Sequence, residues 1–436
     1  LSNLERTELS VLTEQAILVG VLLPDDDRSD YEDPLEELAR LSRTAGATVV
    51  GAVTQKRQKP DATYFLGKGK AEEAGELASA NDANVIVADN NLSPAQIRNL
   101  EKMTDTKVVD RTELILDIFA TRAQTSQARM QVELAQMQYL LPRLRRMWTH
   151  LDTYEGGIGT RGPGEKQLEM DRRLIRKRIT DLRKELKEIE ARKQREVAKR
   201  KEVFQVSLVG YTNAGKSTLM NRLTESDVFV EDRLFSTLDT RTRVWPIAKG
   251  KTILLSDTVG FIQRLPHNLV ASFHATLEEA ANADLLLHVV DAAHPQFERQ
   301  ISSVNEVLEE LEISHKPQLM VFNKSDDVQD VVYVKAAQKQ YENSVFLSAA
   351  TGEGIDDLRQ TVLTIYDEFV VEAELVLSAA NGKLLSTLAH RSDILQQEFE
   401  GSHVRMRTRI DRRLLEQLLN EQRGSEFEVA SVSAAT

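Results

Sequence analysis

Gly210-Tyr211-Thr212-Asn213-Ala214-Gly215-Lys216-Ser217-Thr218 is the stretch that decides how this chain is read. It follows a strand-like apolar run, Phe204-Gln205-Val206-Ser207-Leu208-Val209, and opens into the helix-like run Thr218-Leu219-Met220-Asn221-Arg222-Leu223. Glycines at 210 and 215, then Lys216 and Ser217, fit the phosphate-loop spacing G-x-x-x-x-G-K-[ST]. A loop that wraps an oligophosphate with backbone N–H groups excludes bulky side chains at close approach. Lys216 supplies countercharge to the β- and γ-phosphates, and the Ser217 hydroxyl is a Mg²⁺ ligand. The helix that follows turns its positive end toward the anion. Residues 210–218 are therefore read as nucleotide-binding, and Lys216 also as catalytic.

Four further motifs follow in order. Phe235-Ser236-Thr237-Leu238-Asp239 lies in a polar stretch between strands. A threonine there completes the Mg²⁺ shell when the γ-phosphate is present; Thr237 is the choice and Thr240 the competitor. Asp257-Thr258-Val259-Gly260 follows the strand Thr252-Ile253-Leu254-Leu255. Asp257 anchors Mg²⁺ through water, and the Gly260 N–H approaches the γ-phosphate, so losing that phosphate releases the segment. Lys216, Thr237 and Gly260 form the catalytic set. Asn323-Lys324-Ser325-Asp326 follows the strand Gln318 to Phe322. The Asp326 carboxylate accepts from the N1–H and 2-amino groups of guanine, a donor pair adenine lacks. Ser348-Ala349-Ala350 follows Ser344 to Leu347, and the Ala349 N–H is expected to meet the guanine 6-oxo group. Order and spacing together point to GTP and GDP as ligands, with Mg²⁺.

At 436 residues the chain is long enough for several domains of ~150 residues each. It has no cysteine, which removes disulfides, thiol chemistry and Cys-based metal sites. No apolar run reaches the roughly 18–20 residues that span a bilayer. The opening Leu1-Ser-Asn-Leu-Glu-Arg does not read as a signal peptide, so a cytoplasmic location is expected. The net charge of −12 argues against general nucleic-acid binding, yet the charge is uneven. Residues 143–202 hold nineteen Lys/Arg against eleven Asp/Glu, a net of +8, leaving −20 for the remainder. Such a segment suits a specific polyanion; the plainer alternative is a solvated helix face laced with ion pairs.

Along the chain, four domains are expected. Residues 1–121 alternate strands with helices and read as an α/β subdomain with a mostly parallel sheet. Strands are placed at 16–23, 47–53, 64–66, 84–88 and 107–109. Helices are placed at 34–45 and 71–80, with a third after Ser93, which caps it before Pro94. Gly67-Lys-Gly-Lys70 reads as a tight turn rather than a phosphate site. Residues 122–202 carry two heptad stripes: Met130, Leu134, Met137, Leu141 and Leu144, then Ile175, Ile179, Leu182, Leu186 and Ile189. Between them the Gly-rich 155–164 cannot be helical. This is an antiparallel helical hairpin with a flexible tip bearing Arg161. Arg172, Arg173, Arg176, Lys177 and Arg178 are set on outer faces of its second helix. Arg161, Arg172, Arg173 and Arg176 are the RNA-binding candidates. Residues 203–372 form the nucleotide domain, and 373–436 a small α+β domain with helices at 382–399 and 411–421 and a disordered tail beyond Gly424. Arg405, Arg407 and Arg409 share one strand face, either solvated or touching RNA. A monomer is expected.

Several stretches go beyond a generic phosphate-loop protein. Gly210–Thr218, Phe235–Asp239 and Asp257-Thr-Val-Gly-Phe-Ile262 resemble the HflX family of GTPases. So do Gly156-Gly-Ile-Gly-Thr-Arg-Gly-Pro-Gly-Glu165, Gln131-Val-Glu-Leu-Ala-Gln136 and Asp110-Arg-Thr-Glu-Leu-Ile-Leu-Asp-Ile-Phe-Ala120. The likeness covers residues 16–370. It implies binding to the large ribosomal subunit and its RNA, and a role in ribosome splitting, rescue or assembly. Ras-like enzymes place a glutamine just after D-x-x-G to orient the attacking water. Here Phe261 stands there, so hydrolysis is expected to be slow alone and stimulated by the partner. The rival readings are a signalling GTPase acting on protein effectors, for which the arm is an effector or dimer arm, and an RNA-remodelling NTPase, for which helicase motifs are missing.

Overall fold

A computed structural model describes residues 14–24, 33–144, 163–198, 203–224, 235, 241–248, 251–262, 279–341, 343–421 and 427–434. It is α/β, as the sequence implies. Contacts divide it into two compact units: Leu1–Ile189 with Asp232–Leu238 and Arg264–His274, and Glu190–Glu231 with Asp239–Gln263 and Ala275–Thr436.

The first unit begins with a parallel four-stranded sheet of order β2-β1-β3-β4. Its strands are β1 Gln15–Leu22, β2 Thr48–Lys56, β3 Val85–Ala88 and β4 Lys107–Asp110. Its helices are α1 Glu36–Thr44, α2 Lys68–Ala80, α3 Pro94–Thr104 and α4 Arg111–Arg122. β1 and β3 are apolar on both faces and are buried, as a sheet covered by helices requires. Ser93 caps α3 in a reciprocal box with Gln96, with Pro94 at the first helical position. Two expectations change. Residues 64–66 are not a strand: Asp61 and Phe65 exchange backbone hydrogen bonds across a tight loop in which Phe65 has φ 72°. The helix after Gly67 starts at Lys68, because extended Gly67 serves as its N-cap and its N–H donates to Gln55 Oε1 at 2.7 Å.

The hairpin follows as α5 (Ser126–Leu140), a 3₁₀ turn over Leu141–Arg143, and α6 (Pro163–Ala198). Leu134, Ile179 and Leu182 form its buried seam, with Met130, Met137, Leu141, Ile175 and Leu186 packed around them. The two heptad stripes therefore face one another. Arg178, expected on an outer face, forks onto Glu133 of the facing helix at 2.6 and 2.7 Å. Of the expected tip, 155–162 with Arg161 lie outside the described residues, whereas Pro163 and Gly164, expected to be non-helical, open α6, because a proline in the first helical turn has no N–H to lose.

An ionic cluster fastens this hairpin to the α/β layer. Asp110 caps α4 through the Glu113 N–H (2.9 Å) and accepts from Tyr139 (3.0 Å) and Arg143 (3.2 Å). Arg143 also stacks on the Tyr139 ring at 3.6 Å, and burial together with the Asp110 and Glu113 carboxylates pushes the Tyr139 hydroxyl pKa up. Next in sequence, buried Arg111 donates to buried Asp89 at 2.9 Å and pairs with Glu37. Residues up to 121 and the hairpin as far as Ile189 thus fall in one contact unit, while 190–202, expected to belong to the hairpin, fall in the other.

The second unit holds a six-stranded sheet of order β10-β9-β8-β5-β7-β6. These are β5 Gln205–Gly210, β6 Arg241–Ala248, β7 Lys251–Asp257, β8 Leu285–Asp291, β9 Gln318–Asn323 and β10 Ser344–Phe346. All neighbours are parallel except β6, which runs against β7. Around it lie α7 Lys216–Thr224, α8 Phe297–Glu310, α9 Val331–Gln338 and α10 Ile355–Asp367. One face packs on α7 and α10 through Leu219, Leu255, Leu287, Leu347 and Leu358. The other packs on α8 and α9 through Val290, Phe297, Phe322 and Val334.

β11 (Val370–Ser378) follows α10 closely and enters an antiparallel sheet of order β12-β13-β11-β14. Its other elements are α11 Gly382–Arg391, β12 Asp393–Glu400, β13 His403–Asp411, α12 Arg412–Glu421 and β14 Phe427–Ala434. Here the expected helix 382–399 is corrected: it stops at Arg391, and 393–400 is a strand that pairs with β13 around Gly401 at φ 64°. Nor is the tail structureless, since 427–434 adds the other edge strand. Arg405, Arg407 and Arg409 do share one face, but Arg405 pairs with Glu374 at 2.9 Å and Arg407 with Glu372. Arg413 reaches buried Asp284 at 2.6 Å, and the Arg412 N–H donates to the Phe369 carbonyl, joining this sheet to the nucleotide domain.

Removing one partner of the Arg111–Asp89 pair strands a buried charge. Arg111→Ala is expected to lower the unfolding free energy by about 3–5 kcal/mol, read by urea denaturation followed by circular dichroism. A loss under about 1 kcal/mol contradicts the buried-pair account.

Candidate functional site

The phosphate loop runs from the end of β5 to the start of α7. Backbone sterics dictate its glycines. Gly210 has φ 148°, and a Cβ on it would stand 2.2 Å from the Val289 carbonyl oxygen. Gly215 has φ 91°, and its Cβ would meet Asn323 Nδ2 at 2.2 Å. Asn213 takes the left-handed region at φ 63°, which asparagine tolerates.

Lys216 is buried, its ammonium donating to the carbonyls of Gly210 (2.9 Å) and Tyr211 (2.8 Å). Burial lowers its pKa to about 8, against the opposing pull of the Asp257 carboxylate. Ser217 Oγ donates to Asp257 Oδ2 at 2.7 Å, which joins the first and third motifs. Thr258 Oγ1 donates to the Leu208 carbonyl and ties the strand end to β5. A hydroxyl and a buried carboxylate in contact are hard oxygen donors, a fit for Mg²⁺ that shares its shell with phosphate oxygens and water. Among the described residues no cluster of three His, Asp or Glu side chains offers a protein-only metal cage.

Past Gly260, the chain pairs with the phosphate loop. The Phe261 N–H donates to Gly210 O (3.1 Å), and the Thr212 N–H donates to Phe261 O (2.7 Å). Phe261 is 3% exposed, so the side chain at the position where Ras-like enzymes carry a water-orienting glutamine is apolar and buried. Val259 and Tyr211 are buried beside it. His288 on β8 is also buried; burial, and then the Lys216 charge, hold its pKa down at about 3, so it stays neutral.

The base side is built around Asn323. Its Nδ2 donates to the Ala214 carbonyl (2.8 Å), and its Oδ1 accepts from the Ala349 N–H (2.9 Å). The Ala349 N–H, assigned from sequence to the guanine 6-oxo group, is thus engaged by Asn323. Lys324 is left-handed at φ 61° and pairs with Asp291 at 2.6 Å. Ser325 and Asp326 lie in a 3₁₀ turn, with Asp326 exposed. Ser348 and Ala349 are buried, and Ala350 is exposed.

Phe235 belongs to the first unit: it has φ 56°, is buried, and its ring meets Phe119 of α4 edge-on at 4.6 Å. Ser236, Thr237, Leu238, Asp239 and Thr240 lie outside the described residues, as does Arg161. On α6, Arg173 and Arg176 are exposed and Arg172 is half-buried. Sequence reasoning passed over two residues: Asp291, which ends β8, and Arg222, whose guanidinium binds the carbonyls of Ala349 and Ala350. Neither sits in a motif: Arg222 lies on the helix that opens at the phosphate loop, and no motif marks the end of β8 where Asp291 stands.

A phosphate loop at a strand–helix junction, tied to D-x-x-G and N-K-x-D turns at neighbouring strand ends, defines a phosphate-loop GTPase. Family profiles match in sequence: "GTP-binding GTPase N-terminal" over residues 32–120, "GTP-binding GTPase Middle Region" over 122–200, and "50S ribosome-binding GTPase" over 205–324. GTPase HflX of Alkalihalophilus pseudofirmus is 42% identical, covering 94% of this chain and 98% of that protein. GTPase HflX of Escherichia coli is 47% identical, covering 86% and 88%. A GTP-binding protein of Sulfolobus solfataricus, solved with GDP, is 24% identical, covers 81% of this chain and 98% of its own, and has a TM-score of 0.44. The chain belongs to the HflX family of GTPases, and its reaction is hydrolysis of GTP to GDP and phosphate.

Lys216 generates a pH prediction. A bound triphosphate favours the charged ammonium, so the pKa in the complex lies above the value of about 8 in the free protein. Binding then takes up a proton above pH 8, and affinity falls as pH rises through that value. Titrations of GTP from pH 7 to pH 9 are expected to show about a tenfold weakening, one decade per pH unit beyond the free-protein pKa. A flat profile contradicts the burial of Lys216.

Proposed function

We propose that this GTPase is a switch that binds the large ribosomal subunit through ribosomal RNA and acts in ribosome splitting, rescue or assembly. The observation that carries the reading is the pairing of Phe261 with the phosphate loop, with its side chain buried where a water-orienting group is needed. Such a site calls for a partner to complete it. The profile over 205–324, described as a 50S ribosome-binding GTPase, supports the choice of partner. So does the arm: on α6, Arg173, Arg176 and Lys177 are exposed, and among the described residues none of them is ion-paired.

In this reading, Lys216 and the N–H groups of 213–218 hold the phosphates. Ser217, Thr237 and, through water, Asp257 would hold Mg²⁺, which would supply positive charge beside the phosphate oxygens. Gly260 senses the γ-phosphate, and Asp326 with the 348–350 loop selects guanine. Arg161, Arg172, Arg173 and Arg176 meet RNA phosphates. The cross-strand carboxylate pairing of Arg405 and Arg407 favours a solvated face for β13 over a second RNA surface.

Co-sedimentation tests this. Binding to large subunits is expected to be stronger with a non-hydrolysable GTP analogue than with GDP, and to fall steeply with salt. Replacing Arg172, Arg173 and Arg176 by Glu is expected to abolish binding with nucleotide affinity unchanged. Full binding by that variant makes the arm a packing element only.

A further inference from the structure

We propose that Arg222 is a specificity-positioning residue for the purine base: by holding the carbonyls of Ala349 and Ala350, it fixes the peptide whose N–H reads the 6-oxo group. The proposal rests on the reading that Asp326 and the 348–350 loop receive guanine.

Arg222 lies in α7, the helix whose first turn contains Lys216 and Ser217. Its Nε donates to the Ala349 carbonyl at 3.2 Å and its Nη2 to the Ala350 carbonyl. A guanidinium is planar, so two donors on consecutive carbonyls fix the orientation of the intervening peptide. In a trans peptide the N–H points opposite to the C=O. Holding the Ala349 carbonyl therefore turns the Ala350 N–H away from α7.

The neighbouring donor is already engaged, since the Ala349 N–H bonds to Asn323 Oδ1 at 2.9 Å. The Ala350 N–H has no hydrogen-bond partner among the described residues, and Ala350 is exposed. The loop's own turn bonds lie further on, from Thr351 to Ser348 Oγ (3.1 Å) and from Gly352 to the Ser348 carbonyl (2.8 Å). They leave the peptide between 349 and 350 to Arg222. A donor there selects a purine with an acceptor at position 6 and disfavours an amino group or a weak acceptor. The same helix thereby positions both the phosphate loop and the base-reading loop.

The test uses the full chain, as wild type, Arg222→Ala and Arg222→Lys, with three ligands. Inosine diphosphate lacks the 2-amino group that Asp326 reads. 6-Thioguanosine diphosphate keeps it but carries sulfur, a weak acceptor, at position 6. Wild type is expected to prefer GDP over both. In Arg222→Ala, GDP weakens roughly three- to tenfold, the scale of a charge-assisted hydrogen bond discounted for exposure. Its preference over the thio ligand shrinks by that factor, its preference over inosine diphosphate is unchanged, and Arg222→Lys restores part of the loss. Because Arg222 is exposed, the variant is expected to fold. Equal weakening of all three ligands, or an unchanged GDP-to-thio ratio, overturns the proposal. A wild type that does not discriminate inosine diphosphate overturns the underlying assignment of Asp326 instead.

Discussion

One side-chain amide holds the nucleotide site together. Asn323, 2% exposed, gives a hydrogen bond to the phosphate loop at Ala214 and takes one from the base loop at Ala349. Three loops from distant sequence positions share that amide. Because it is buried, leaving its partners unsatisfied would cost about 1–3 kcal/mol for each group. The same amide explains why position 215 is glycine, since any Cβ there would overlap Nδ2. Sheet register delivers the arrangement: β8 pairs with both β5 and β9, so the loops at their ends meet along one edge of the sheet.

The opposite side of the phosphate loop is held by charge and backbone. Lys216 is desolvated and caps two carbonyls of its own loop, while Ser217 and Asp257 meet without a water between them. Phe261 then closes the loop by pairing with Gly210 and Thr212. Each contact is in place within the protein alone. The group that would aim a water molecule is what the described residues do not supply.

Much of this was legible in the chain. Phosphate and guanine contacts need particular residue types at fixed offsets, so Gly210–Ser217, Asp257–Gly260 and Asn323–Asp326 stand out without tertiary information. Heptad spacing likewise gave the facing seam of Leu134, Ile179 and Leu182. Tertiary choices were harder to see. The helix that begins at Lys68 depends on Gly67 being held by Gln55, twelve residues earlier. Residues 393–400 are exposed along most of their length and carry no clear period, so only their pairing with β13 makes them a strand. Asp110 and Arg111 stand out in sequence as part of a family stretch, yet their work is to bind Tyr139, Arg143, Asp89 and Glu37 across long sequence gaps. Arg222 matches no motif, because its partners are backbone carbonyls, which any sequence provides.

Among the described residues the phosphate loop carries its lysine, its hydroxyl and its glycines, and the position that holds a water-orienting glutamine in Ras-like enzymes carries buried Phe261. Single-turnover GTP hydrolysis, with and without purified large ribosomal subunits, measures the consequence directly. A slow rate alone and a rise of at least about tenfold with subunits is the predicted result, the lower end of what partner-supplied groups provide. An equally fast rate without subunits would contradict it, because a buried Phe261 would then be no handicap.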